Sequence, residues 1–206
     1  MTLTDKINRN ARKIPNWVIY VLGVVPLGLL VYQTFFGGLG VDPVKAIEHQ
    51  LGKIGLQLLV ASLVITPLSR YARINLIKFR RAIGQLAFVY ILLHLLTWLA
   101  LDIQFLWGEI FKDLTKRPYI IIGMIGFLVM IPLALTSTDK MIRRLGAERW
   151  RKLHKLAYVA AVAGVAHYMM LVKAWPLEPI LYCVGVAALL FMRLEWRLRK
   201  RRPARA

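Results

Sequence analysis

Long uncharged apolar runs separated by short segments rich in Lys and Arg set the pattern of this chain. Trp17 to Phe36, Ala82 to Leu101 and Tyr119 to Thr138 hold no charged residue, and Leu156 to Val172 is nearly as long. Each is close to the roughly 20 residues that carry a helix through an apolar bilayer core about 30 Å thick. Two weaker runs, Ile54 to Leu68 behind Lys53 and Pro179 to Met192 between Glu178 and Arg193, are completed by snorkelling flanks or by tilt and local thinning. The pattern predicts an all-α membrane protein. It forms one six-helix transmembrane bundle over 1–206, with spans near 17–36, 50–68, 82–101, 119–138, 154–172 and 176–193; five spans is the alternative. The first run comes after a short basic segment and has no small-residue cleavage pattern, so it is read as a retained helix.

Charge gives the bundle a direction. In the six-span reading, the N-terminus, the second and fourth loops and the tail hold 23 basic residues against four acidic ones. The opposite face holds six of each, so the whole net charge of +19 lies on one side. Short cytoplasmic segments carry the excess of Lys and Arg, which places both termini in the cytoplasm. A net charge this high would ordinarily suggest nucleic acid, but with 58% hydrophobic residues in runs this long the basic face is read against anionic membrane lipid instead. The single cysteine, Cys183, lies in an apolar run, which excludes a disulfide framework, zinc-ligand spacing and covalent haem attachment through C-x-x-C-H.

Several intramembrane residues have ordinary packing roles. Pro26, Pro67 and Pro132 mark kinks or helix ends. Gly123, Gly126, Ala160, Ala163 and Gly164 let helices approach closely. Trp17, Trp98, Trp107 and Trp175 fall near span ends, where interfacial anchoring is expected.

The histidines are different. His94 lies 12 residues beyond Ala82 and His167 lies 11 beyond Leu156, about 18 Å and about 16 Å into two spans that enter from the same side. Two imidazoles at matched depth on parallel helices suit the axial positions of one non-covalently bound haem, with Phe88, Tyr90, Leu93, Tyr168 and Met169 as candidate walls. A single such histidine would more simply be an interhelical hydrogen-bond partner. His154, 13 residues before His167, falls about 20 Å lower and about 220° around the same helix. Its counterpart position on the third span is Arg80, so a second cofactor nearer the cytoplasm is open but not required. His49 stands on the opposite face as a capping or interfacial residue.

Local motifs add a resemblance that runs along nearly the whole chain. Gly37-Gly38-Leu39-Gly40-Val41-Asp42-Pro43, Ile65-Thr66-Pro67-Leu68-Ser69-Arg70-Tyr71-Ala72, Lys116-Arg117-Pro118-Tyr119, Leu135-Thr136-Ser137-Thr138 and Leu153-His154-Lys155-Leu156 resemble the MsrQ (YedZ) family. That family is the haem-binding membrane subunit of a bacterial protein-methionine-sulfoxide reductase system, within the ferric-reductase-like transmembrane group. The resemblance implies haem b and FMN as cofactors in a bacterial inner-membrane protein. It implies electrons drawn from the quinone pool or a cytosolic flavin reductase. They would pass to a periplasmic molybdenum-containing subunit that reduces methionine sulfoxide. It also carries haem positions onto His94, His154 and His167, and the space near His154 and Arg80 would take flavin, quinone or a haem with an unusual ligand. In this reading the chain is an electron-transfer subunit without catalytic residues of its own. Alternatives from other classes are an ion or proton transporter using the histidines and a quinone-dependent metal reductase.

Overall fold

The computed structural model describes residues 2–201 except 173 and 175. Lys173, Trp175, Arg202 and Arg205, all used in the charge or anchor assignments, lie outside the described residues. Helix is the only regular secondary structure among the described residues. The helices are α1 (Leu3–Lys13), α2 (Asn16–Phe36), α3 (Pro43–Tyr71), α4 (Arg80–Thr97), α5 (Trp107–Lys116), α6 (Pro118–Leu135), α7 (Asp139–Leu145), α8 (Ala147–Leu153), α9 (Leu156–Leu171) and α10 (Leu177–Arg201).

Five helical segments are long and apolar enough to cross a membrane: Trp17–Phe36, Pro43–Tyr71, Ile77–Asp102, Pro118–Leu135 and Leu177–Trp196. The protein is therefore a multi-pass membrane protein. α9 has 16 residues and is about 24 Å long, short of a full apolar core. The second span begins earlier than hydropathy suggests. Asp42 caps α3 by accepting the Lys45 backbone N–H at 3.0 Å, Pro43 occupies the first turn, and the helix runs through the polar stretch around Lys45 and Glu48. His49, expected as a capping or interfacial residue, thus lies almost two turns inside α3 and is not its cap.

Two antiparallel pairs form the centre of the bundle, α3 with α4 and α6 with α9, and the pairs meet through α4 with α6 and α3 with α9. α2 leans on α4, while α10 covers α9 and α3. Lipid tails are as apolar as leucine, so close packing and polar contacts replace the aqueous hydrophobic drive. Accordingly the core joins Leu56, Leu59 and Leu63 to Ala87, Met130, Ala160, Ala161 and Val165. Gly126 has the packing role expected of it, since a Cβ there would lie 3.2 Å from the Ala163 Cβ. Trp98 departs from the anchor assignment. It is 8% exposed and opens a π-helical turn, Trp98–Asp102, that ends the third span.

Candidate functional site

His94 is seated against α3, its Nδ1 2.8 Å from the carbonyl oxygen of Glu48. A carbonyl only accepts, so Nδ1 carries the proton and the lone pair of the neutral ring lies on Nε2. Gly52, one turn further along α3, makes room for the ring, because a Cβ there would stand 3.0 Å from His94 Nδ1. His167 on α9 has the same kind of seat on α6. Its Nδ1 is 2.7 Å from the Tyr119 carbonyl oxygen, and a Cβ at Gly123, again one turn on, would lie 2.7 Å from that nitrogen. A carbonyl at one position and a glycine four residues later thus hold an imidazole twice, once in each helix pair. Neither Nε2 has a hydrogen-bond partner among the described residues.

The two rings face one another with centroids 6.1 Å apart and planes at 81°. Two imidazoles on opposite sides of one metal, with bonds of about 2 Å and about 1.1 Å more from nitrogen to ring centre, have centroids about 6 Å apart. The observed separation fits that arrangement. No group of three His, Cys, Asp or Glu able to hold a bare ion occurs among the described residues. The donor set therefore suits a metal that brings its own equatorial ligands, as haem iron does. Both histidines line a cavity of about 920 Å³, within the size range of organic ligand sites. Its deep wall is apolar, with Leu56, Leu59, Ile91, Phe127 and Met130.

Among the expected wall residues, only Tyr168 lines this cavity. Tyr90 is drawn away by α2: its hydroxyl donates to the Gly23 carbonyl at 2.7 Å, and its ring packs with Leu30 and Leu51. Leu93 packs beside that cluster, and Phe88 opens on a second cavity.

The second cavity, about 590 Å³, brings together His154 and Arg80 as the sequence suggested, with Thr66, Arg70, Tyr158 and Arg193 around them. His154 is not on the helix of His167. It ends α8, and a turn at His154–Lys155 precedes α9, so rotation along one continuous helix does not describe its direction. The ring stacks on Trp150 at 3.9 Å, and Nε2 lies 3.1 Å from the Thr136 hydroxyl. Arg80 Nη1 lies 3.5 Å from the Thr66 hydroxyl, so His154 and Arg80 each touch a threonine of a neighbouring helix, Thr136 at the end of α6 and Thr66 inside α3. Arg193 reaches the Leu63 carbonyl at 2.9 Å and also bonds the Tyr158 hydroxyl. At the rim Arg81 pairs with Asp139, and its guanidinium holds that carboxyl below its ordinary value. Leu59 and Met130 line both cavities and stand between them. Beside them Phe127 from the first cavity stacks on Phe88 from the second, with centroids 5.8 Å apart and planes within 8°.

Sequence reasoning missed three parts of this site. Gly52 and Gly123 are imidazole seats, which a helical glycine cannot announce. The Glu48 and Tyr119 acceptors are backbone groups, available from any residue. His49 lines the first cavity rather than capping a helix.

Comparison with known proteins shows the family. The profile of the ferric reductase like transmembrane component matches residues 51–165, which hold His94, His154 and both threonines. The protein-methionine-sulfoxide reductase heme-binding subunits MsrQ of Brucella ovis, Brucella canis and Brucella suis are each 45% identical to the chain over 189 residues, covering 91% of it and 86% of their own length. With a match of that extent, the chain belongs to the MsrQ family of ferric-reductase-like transmembrane proteins.

Proposed function

We propose that this chain is the membrane electron-transfer subunit of a protein-methionine-sulfoxide reductase system, with haem b held between His94 and His167. The observation that carries this reading is the facing imidazole pair, each ring fixed through Nδ1 by a backbone carbonyl and presenting Nε2 to a shared cavity. Haem in that place supplies one-electron ferric/ferrous chemistry. The residues do the rest. Glu48 and Tyr119 fix the tautomer and aim of the ligands. Leu56, Leu59 and Met130 exclude water. The stacked pair Phe88 and Phe127 joins this site to the second cavity.

The second cavity, with His154 and Arg80, is the entry side in this proposal and takes flavin, FMN being the expected form, or quinone or a second haem. Electrons come from the quinone pool or a cytosolic flavin reductase. They leave to a periplasmic molybdenum-containing methionine sulfoxide reductase. The Brucella relatives, named as heme-binding subunits of a protein-methionine-sulfoxide reductase, support a methionine sulfoxide reductase as the acceptor. The chain is a single transmembrane domain of the bacterial inner membrane in this reading, with six spans and both termini cytoplasmic. Catalysis on the sulfoxide belongs to the partner.

A pyridine haemochrome assay with flavin extraction on the purified chain tests the cofactors. Wild type is expected to show a reducible Soret band, and the near-perpendicular ring planes predict a strongly anisotropic low-spin ferric resonance. His94→Ala and His167→Ala should each lose that signature; unchanged haem content and redox behaviour in both would refute the assignment. Transfer of electrons to ferric chelates but never to a periplasmic sulfoxide reductase would favour a metal reductase.

A further inference from the structure

The charged side chains of the first cavity gather at one end. Lys45, His49 and Lys53 recur every four residues along α3 and line its mouth, and the same helix continues into the cavity with Leu56 and Leu59. Arg117, just before α6, lines the mouth from another element. Four cationic or cationisable side chains, with the carboxylate of Glu48 among them, therefore ring one end of a pocket whose deep end is lined by Leu56, Leu59, Phe127 and Met130.

These side chains differ in how far neighbouring acids already occupy them. Lys45 bonds both Asp102 at 2.6 Å and Glu48 at 3.2 Å, and Lys53 pairs with Glu178 at 2.6 Å. Arg117 uses one nitrogen, at 3.2 Å, on Asp113. Its planar fork carries five N–H donors, so capacity remains for a second carboxylate. His49 is exposed at the mouth, and its side chain has no hydrogen bond or ion pair among the described residues. Two unequal walls thus each offer an open donor where an amphipathic planar ligand would place its acidic edge.

We propose that His49 and Arg117 form a carboxylate clamp that holds the two propionates of the haem and fixes its acidic edge at the cavity mouth. This rests on the proposed haem site and adds to it the orientation of the macrocycle and the residues that select it. Lys45 and Lys53 supply the surrounding positive field while remaining tied to their own acids. The clamp discriminates between haem and the same macrocycle without free carboxylates.

Apoprotein prepared without haem and titrated with haem b and with haem b dimethyl ester tests this directly, because the wild-type chain needs no substitution. Wild type is expected to bind haem b about tenfold or more tightly than the ester, as charge-assisted hydrogen bonds warrant. The combined variant His49→Leu, Arg117→Leu should lose most of that preference while still binding the ester, and its haem should have a lower midpoint potential. Arg117→Lys should restore part of both. Equal affinity of wild type for the two macrocycles overturns the clamp, as does an unchanged preference in the double variant. Binding of neither macrocycle, or binding indifferent to His94→Ala and His167→Ala, brings down the underlying haem assignment instead, and the clamp with it.

Discussion

A methyl group is the smallest change that separates the two imidazole seats. A Cβ at Gly123 would meet His167 Nδ1 at 2.7 Å, while one at Gly52 would meet His94 Nδ1 at 3.0 Å. The first distance forces a shift of a ring already tied to Tyr119 at 2.7 Å; the second asks the neighbour to give by a few tenths of an ångström. Elsewhere in a helix Gly→Ala stabilises by about 1 kcal/mol, so a loss at these positions isolates the steric cost. Gly123→Ala is expected to lower haem occupancy by severalfold and to alter the ferric resonance, with Gly52→Ala milder in both. Haem-to-protein ratio and electron paramagnetic resonance on the purified variants check the order. A Gly123→Ala protein with wild-type haem and resonance would show that the α6 seat is not needed for ligation.

Elements carry the next level, most clearly where α4 ends. The π-helical turn Trp98–Asp102 closes with the Ile103 N–H on the Trp98 carbonyl at 2.9 Å. One residue more per turn rotates the downstream backbone by about 100° relative to an uninterrupted α-helix. Asp102 comes round to Lys45 at 2.6 Å, and Lys45 also holds Glu48, whose carbonyl seats His94. The ion pair is 39% and 22% exposed at its two side chains, so its contribution is discounted to about 0.5–1 kcal/mol. A double-mutant cycle of Lys45→Met and Asp102→Leu, read by thermal unfolding in detergent, should return a coupling of that size, together with a changed resonance from His94. Zero coupling would mean the turn closes the helix without steering Asp102. Little of this was legible beforehand. Apolar runs marked the long helices and matched depth marked the histidine pair, because both are properties of spacing along one helix. The π turn, the break at His154–Lys155, and the short helices α1, α5, α7 and α8 depend on backbone hydrogen bonding in polar sequence, which hydropathy does not register. Gly123 looked like its neighbour Gly126 for the same reason: one faces an imidazole and the other an alanine, and only the rotation of α9 against α6 decides which.

At the scale of the whole molecule the deciding element is α9 and whether it crosses. At 16 residues it is about 6 Å short of a 30 Å core. Yet it packs antiparallel to α6 along the bundle centre and carries His167 to the level of His94. Local thinning, and polar flanks that reach for water from Lys155 at one end, close a mismatch of that size. Charge gives an independent reason: six spans gather the net +19 on one side, and removing α9 would move the segment after it, with the basic tail, to the opposite side. Six spans therefore predict that N- and C-terminal reporters lie in the same compartment. In bacteria, green fluorescent protein fused at either end should fluoresce in the cytoplasm, and alkaline phosphatase should be active when fused in the loop between α2 and α3 and inactive when fused between α6 and α9. A C-terminal fusion that is dark while the N-terminal one fluoresces would mean five spans. His167 could not then reach its partner from the required side, so the same result would also remove the haem site proposed between α4 and α9.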